Sequence, residues 1–161
     1  MPAPCNALLR SLSAGVLTLL AGATVFAVEA PRTIRFVLSE QETIAFAPAT
    51  DPARAVSIHL DLASAHLPAK VPATAQLIIA DGANHVLWTG PLNVPDPLAR
   101  PLRVTGNLPD RAVESFLICD RAIVSFATDT EPHNLAFPRD RALKALGTIV
   151  PDMKGKPFFY H

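Results

Sequence analysis

The chain has 161 residues, with 14 basic and 14 acidic side chains, five histidines and two cysteines. That length suits one domain with a core that needs no staples. The balanced charge provides no field for drawing in nucleic acid or an anionic membrane surface.

Residues 1–27 read as an export signal. Arg10 is the sole charged side chain before Glu29, and the run that follows it, SLSAGVLTLLAGATVFAV, is apolar and rich in small residues. The expected cut falls between Ala27 and Val28. A cut after Ala30 would leave Pro31 just beyond it. The competing reading is an uncleaved N-terminal membrane anchor, since the run is near the lower limit for a bilayer span. In that case the membrane is met only through this segment. Either reading places the domain in the periplasm or outside the cell. Cys5 precedes the apolar run and is not placed like a lipoprotein cysteine. Cleavage leaves Cys119 as the one cysteine, so no internal disulfide is expected.

Past the cut, most of the chain alternates at period two, as half-buried strands do. In TIRFVL, Ile34, Phe36 and Leu38 share a face. In TIAFAP, Ile44 and Phe46 do. The short SEQE between them predicts a hairpin. AVSIHLDL is the cleanest case, with Val56, Ile58, Leu60 and Leu62 on one face and Ser57, His59 and Asp61 on the other. AQLIIADGANHVLWTGPL predicts two strands around a turn carrying Asp81, Gly82 and Asn84. Trp88 is in phase with Val86 and is expected in the core. GPLNVPDPLARP, with four prolines, should be a stiff connection, either crossing between sheets or offering itself to a partner. PLRVTGNL predicts a further strand. AVESFLICDRAIVSFAT is apolar on both faces and reads as central strands, with a turn or bulge at Asp120 and Arg121.

One helix is predicted late in the chain, in FPRDRALKALG, with Pro138 in its first turn and Gly147 as its stop. Seven or eight short strands with turns between them argue for an all-β fold. The expected form is an antiparallel β-sandwich of the immunoglobulin-like kind, with a closed barrel as the alternative. The cysteine pair of antibody domains is absent, so this likeness concerns architecture only. The domains are thus 1–27 as signal or anchor, 28–137 as β-sandwich, and 138–161 as helix and aromatic tail packing on it.

Few residues suggest chemistry. His59 and Asp61 are two apart on a strand and point the same way, so both can reach one cation. Imidazole with carboxylate suits zinc or copper(II). His85 and His133 would supply further ligands, with Asp129 and Glu131 beside the latter. His66 stands at an odd offset from His59 and is set aside unless the strand ends near Ala63. Opposed to this is a plain solvent face. Cys119 is expected to be a buried, inert thiol. GxSxG, HExxH, CxxC and Gly-rich phosphate loops are all absent. The aromatic tail of Phe158, Phe159 and Tyr160 is costly to leave in water and is expected to pack on the domain or dock on a partner.

These observations favour an exported, non-catalytic accessory or adaptor domain that contacts another envelope protein. A small periplasmic metal-binding protein using His59 and Asp61 with His85 or His133 is the alternative. An enzyme of unidentified reaction class is the third reading.

Overall fold

The structure is a computed structural model and describes residues 27–49 and 56–147. Residues 1–26 of the expected export segment, and the aromatic tail with Phe158, Phe159 and Tyr160, lie outside the described residues.

Eight strands alternate with few interruptions: β1 Phe36–Val37, β2 Thr43–Pro48, β3 Val56–Leu62, β4 Thr74–Ala80, β5 Val86–Asn93, β6 Leu102–Leu108, β7 Arg121–Phe126 and β8 His133–Pro138. Helix α1, Asp110–Ile118, separates β6 from β7, and helix α2, Arg139–Gly147, follows β8. No helix among the described residues is long and apolar enough to cross a membrane.

The strands form one sheet in the order β1-β8-β7-β4-β5-β6-β3-β2. Every neighbouring pair is antiparallel except β1 with β8. The end strands β1 and β2 are joined by only the residues between Val37 and Thr43. Such a short connection requires the sheet to curl until its two edges approach. Helix α2 packs against both β2 and β8, near opposite ends of the strand order, and α1 packs on β4, β5, β6 and α2. The result is a half-barrel with two helices on its concave side. β-rich architecture with a C-terminal helix is therefore as expected. An immunoglobulin-like sandwich is not established, because the pairing links all eight described strands into one sheet.

The core follows from the alternation. Val56, Ile58, Leu60 and Leu62 of β3 are all fully buried, and Leu102, Val104 and Leu108 of β6 lie beside them. From the other half of the sheet Leu77, Ile79, Val124, Leu135 and Phe137 enter the same cluster. Phe116 of α1 binds the two halves together. It meets Phe46 edge-on at 5.6 Å and Phe137 at 6.2 Å, spacings at which aromatic pairs attract beyond their buried area. β4 and β7 are covered on both sides. Ile78, Ala80 and Ile123 form a second, smaller cluster with Ala30.

Four expectations change. TIRFVL and TIAFAP do not make a hairpin. Only Phe36 and Val37 form a strand, parallel to β8, while β2 pairs with β3. The turn between them is instead bonded by Arg141 of α2, as described below. The apolar residues of TIRFVL also divide: Ile34 joins the second cluster, Leu38 the main one, and Phe36 stays partly exposed.

The second change is α1, where a strand was expected. Pro109 precedes it, Asp110 sits in its first turn, and Ala112, Val113 and Phe116 recur at helical spacing on the buried face. Ile118, which made the segment look apolar on both faces, is 70% exposed. Ser115 donates back to the Arg111 carbonyl at 2.8 Å, so its hydroxyl fits within the helix. Third, Asp120 marks the junction of α1 with β7 rather than a bulge, its N–H bonding to the Ala80 carbonyl.

The fourth concerns Trp88. The β4–β5 register runs from Ile79↔Trp88 to Ala80↔Val86, skipping Leu87. This bulge breaks the phase. Trp88 packs on the main cluster and Val86 on the second. The indole lies across Gly90, where a Cβ would come within 2.2 Å of the ring. The expected turn before β5 is present, with Asn84 at φ 70°.

A cleft at the mouth of the curled sheet

β3 ends at Leu62, and Ser64–His66 forms a single 3-10 turn. The strand therefore ends before His66, as a return toward His59 would require. The turn instead carries the imidazole to Glu42, whose Oε1 lies 2.8 Å from His66 Nδ1. Glu42 is 1% exposed. Its Oε1 also accepts from the Ala63 N–H at 3.1 Å. Its Oε2 accepts from the Ser39 N–H at 2.7 Å and the Ser39 hydroxyl at 3.3 Å. A carboxylate survives burial only when its lone pairs are satisfied in this way. Arg141 completes the knot from α2, donating to the carbonyls of Leu38 and Ser39 at 3.2 and 2.6 Å and to that of Glu42. The SEQE turn thus ties β1 and β2 to α2 at one end of the sheet.

Chemistry fixes the tautomers here. A carboxylate only accepts, so His66 Nδ1 carries the hydrogen. His133, 7% exposed, places Nε2 2.6 Å from the His66 carbonyl, so that nitrogen donates. A neutral His133 then keeps a lone pair on Nδ1. Phe36 stacks on His66 at 4.9 Å and tilts against His133 at 5.6 Å.

Beside these rings opens a cleft of about 560 Å³. Its walls are β1, the loop from Leu67 to Pro72, and the β7–β8 connection from Ala127 to His133. Leu67, Pro68 and Pro72 supply apolar surface near Phe36, and Lys70 and Asp129 stand at the rim. Arg35 and Glu131 pair across the cleft wall. Thr128 Oγ1 donates to the Glu131 carbonyl at 2.5 Å and pins the loop.

Of the four metal-ligand candidates His59, Asp61, His85 and His133, three lie elsewhere, and His133 lines the cleft with Asp129 and Glu131. His59 is exposed on the outer face of β3, and Asp61 shares that face as expected. Asp61 is already engaged, accepting from Arg103 Nε at 3.1 Å and Thr43 Oγ1 at 3.3 Å. His59 pairs with Thr105, which pairs with Asn93 at the far end of β5 from His85. Eight residue steps lead from His85 to Asn93, about 26 Å of extended strand. His85 instead bonds Asp81 in its own turn. Its backbone N–H, 2.8 Å from Oδ1, holds the Asp81 carboxyl below the ordinary range, and the ring at 3.2 Å adds to this. His133 is the exception, because it floors the cleft. Among the described residues no three His, Cys, Asp or Glu side chains gather to hold an ion. Cys119 is buried at the end of α1, its Sγ 3.3 Å from the Phe116 carbonyl, and burial pushes its thiol up.

The sequence does not mark Glu42 as a site, and it weighs His66 only as a metal ligand returning toward His59. Glu42 read as turn composition, and no periodicity relates it to a histidine 24 positions away. No protein-family model, curated protein or solved structure matches the chain.

Proposed function

We propose that the protein is an exported, non-catalytic accessory domain that holds another envelope protein along the outer edge of β1. One observation carries the reading. β1 is a two-residue edge strand, paired on one side only, with Val37 58% exposed beside the partly exposed Phe36. A free sheet edge with apolar side chains is a template for an added strand from a partner. Arg10 and the apolar run after it support export to the periplasm or beyond. On architecture, the single β5–β6 pair, Asn93↔Thr105, supports reading the five- and three-stranded halves as the two layers of a sandwich. A continuous ladder of β5–β6 amide contacts by NMR would exclude that finer reading.

A photo-crosslinking side chain placed at Val37 in intact cells tests the partner. A discrete adduct from position 37, absent when the same group replaces Glu114 on α1, is the expected result. No adduct, or equal adducts from both positions, overturns it. Mass spectrometry of the purified chain tests export, with Val28 expected as the first residue.

A further inference from the structure

We infer that the cleft at the mouth of the sheet is a binding site for a neutral carbohydrate, with one sugar ring lying on Phe36. This goes beyond the edge-strand reading and does not rest on it. The volume of about 560 Å³ falls within the range of small-molecule sites. Three observations select the ligand class.

The first is charge. Arg35 is cancelled by Glu131, and Lys70 and Asp129 line the same cleft. Four charges summing to zero give no net attraction for an anion or a cation. They do present donors and acceptors in close alternation, which suits a polyol whose every hydroxyl both donates and accepts.

The second is the platform. Phe36 is 36% exposed, and its ring is held by stacking on His66 at 4.9 Å and by a tilted contact with His133 at 5.6 Å. An aromatic face is electron-rich and attracts the polarised C–H groups of a sugar ring. Pro68 and Pro72 extend that apolar surface without adding donors.

The third is the floor. His133 is more than nine-tenths buried, lines the cleft, and spends Nε2 on the His66 carbonyl. Its Nδ1 lone pair has no partner among the described residues and would accept a sugar hydroxyl. The ring cannot turn to offer a donor without losing the 2.6 Å bond. A buried Glu42 holds His66, and with it that carbonyl, in place.

The test is an NMR titration of the isotope-labelled full chain with maltohexaose, cellohexaose and chitohexaose, with inorganic phosphate as the anionic probe. Saturable shifts from at least one sugar, confined to residues 35–36, 66–72 and 127–133, are expected. Phe36→Leu keeps the apolar bulk and removes the ring, so the fold survives while affinity falls about tenfold. Lys70→Ala, on an exposed loop, checks the rim with an expected loss of a few-fold. Absence of saturable binding by all three sugars overturns the inference. So does binding unchanged by Phe36→Leu, or phosphate binding the cleft more tightly than any sugar.

Discussion

Two histidine-bearing regions of this molecule obey different physics. On the outer face of β3, His59 and Asp61 stand in water, and Asp61 is shared between Arg103 and Thr43 across the strands. At the mouth of the sheet, His66 and His133 are tied down by a buried carboxylate, a carbonyl and a phenyl ring. The first pair shares a face because any strand shares a face every second residue. The second pair is brought together by a strand end, a 3-10 turn and a turn held by Arg141 of α2. Orientation by a second group, rather than proximity in sequence, distinguishes a built site from a row of polar residues.

The largest way to break this contrast is Glu42→Ala. Removing the carboxylate strands the Ser39 and Ala63 N–H groups and frees His66. Each abandoned buried donor costs about 1–3 kcal/mol, so a loss of about 3 kcal/mol in urea unfolding is expected. Glu42→Gln, which keeps the volume and one acceptor, should lose less. A loss under about 1 kcal/mol for the alanine variant would mean the knot is ornamental. Arg141→Met comes next. It keeps much of the aliphatic stem and removes three charge-assisted hydrogen bonds to carbonyls of the turn. About 2 kcal/mol is expected. The same variant should also raise hydrogen exchange at Ser39 and Glu42 more than at Ile58, which is held within the sheet.

How much of this was legible beforehand divides along the same line. Strands β3 and β6 could be read because each carries its alternation in its own residues, and β4 and β5 because turn residues stand between two apolar runs. The β1–β2 hairpin was misread because a turn signal states that the chain turns, not what the turn bonds to. Here the carbonyls of Leu38, Ser39 and Glu42 go to Arg141, about a hundred residues later. α1 was misread because Ile118 and Leu117 extended its apolar run past the helical face. Half of the candidate cleft was invisible for a related reason. The sequence marks His133 as a possible metal ligand in a polar connection, whereas Glu42 acquires meaning only when the fold brings it beside His66.

Cys119 sharpens the contrast from the core. Its thiol is buried, and burial raises it above the ordinary thiol range. A raised folded-state value means the native state keeps its proton where the unfolded chain releases it. The stability this represents is fully present below the ordinary thiol range and is lost as pH rises through it. Cys119→Ala should therefore show a weaker fall in stability on the alkaline side than the parent chain. Alkylation of the native protein should be slow and should accelerate with added urea. Fast alkylation without denaturant would place the thiol at the surface.

The smallest effect belongs to the outer face. His59 is exposed and makes no hydrogen bond or ion pair among the described residues, so His59→Ala should change stability by no more than about 0.5 kcal/mol. Asp61→Asn should do little more, since its bond to Arg103 lies between side chains that keep contact with water, 67% and 34% exposed. The decisive measurement is zinc and copper(II) binding by calorimetry on the parent and on His59→Ala. The geometry predicts equal uptake, because a cation at His59 would find one neighbouring carboxylate already bonded twice and His85 at the other end of β5. A stoichiometric site lost with His59 would reverse the contrast, and the exposed face of β3 would then be the functional one.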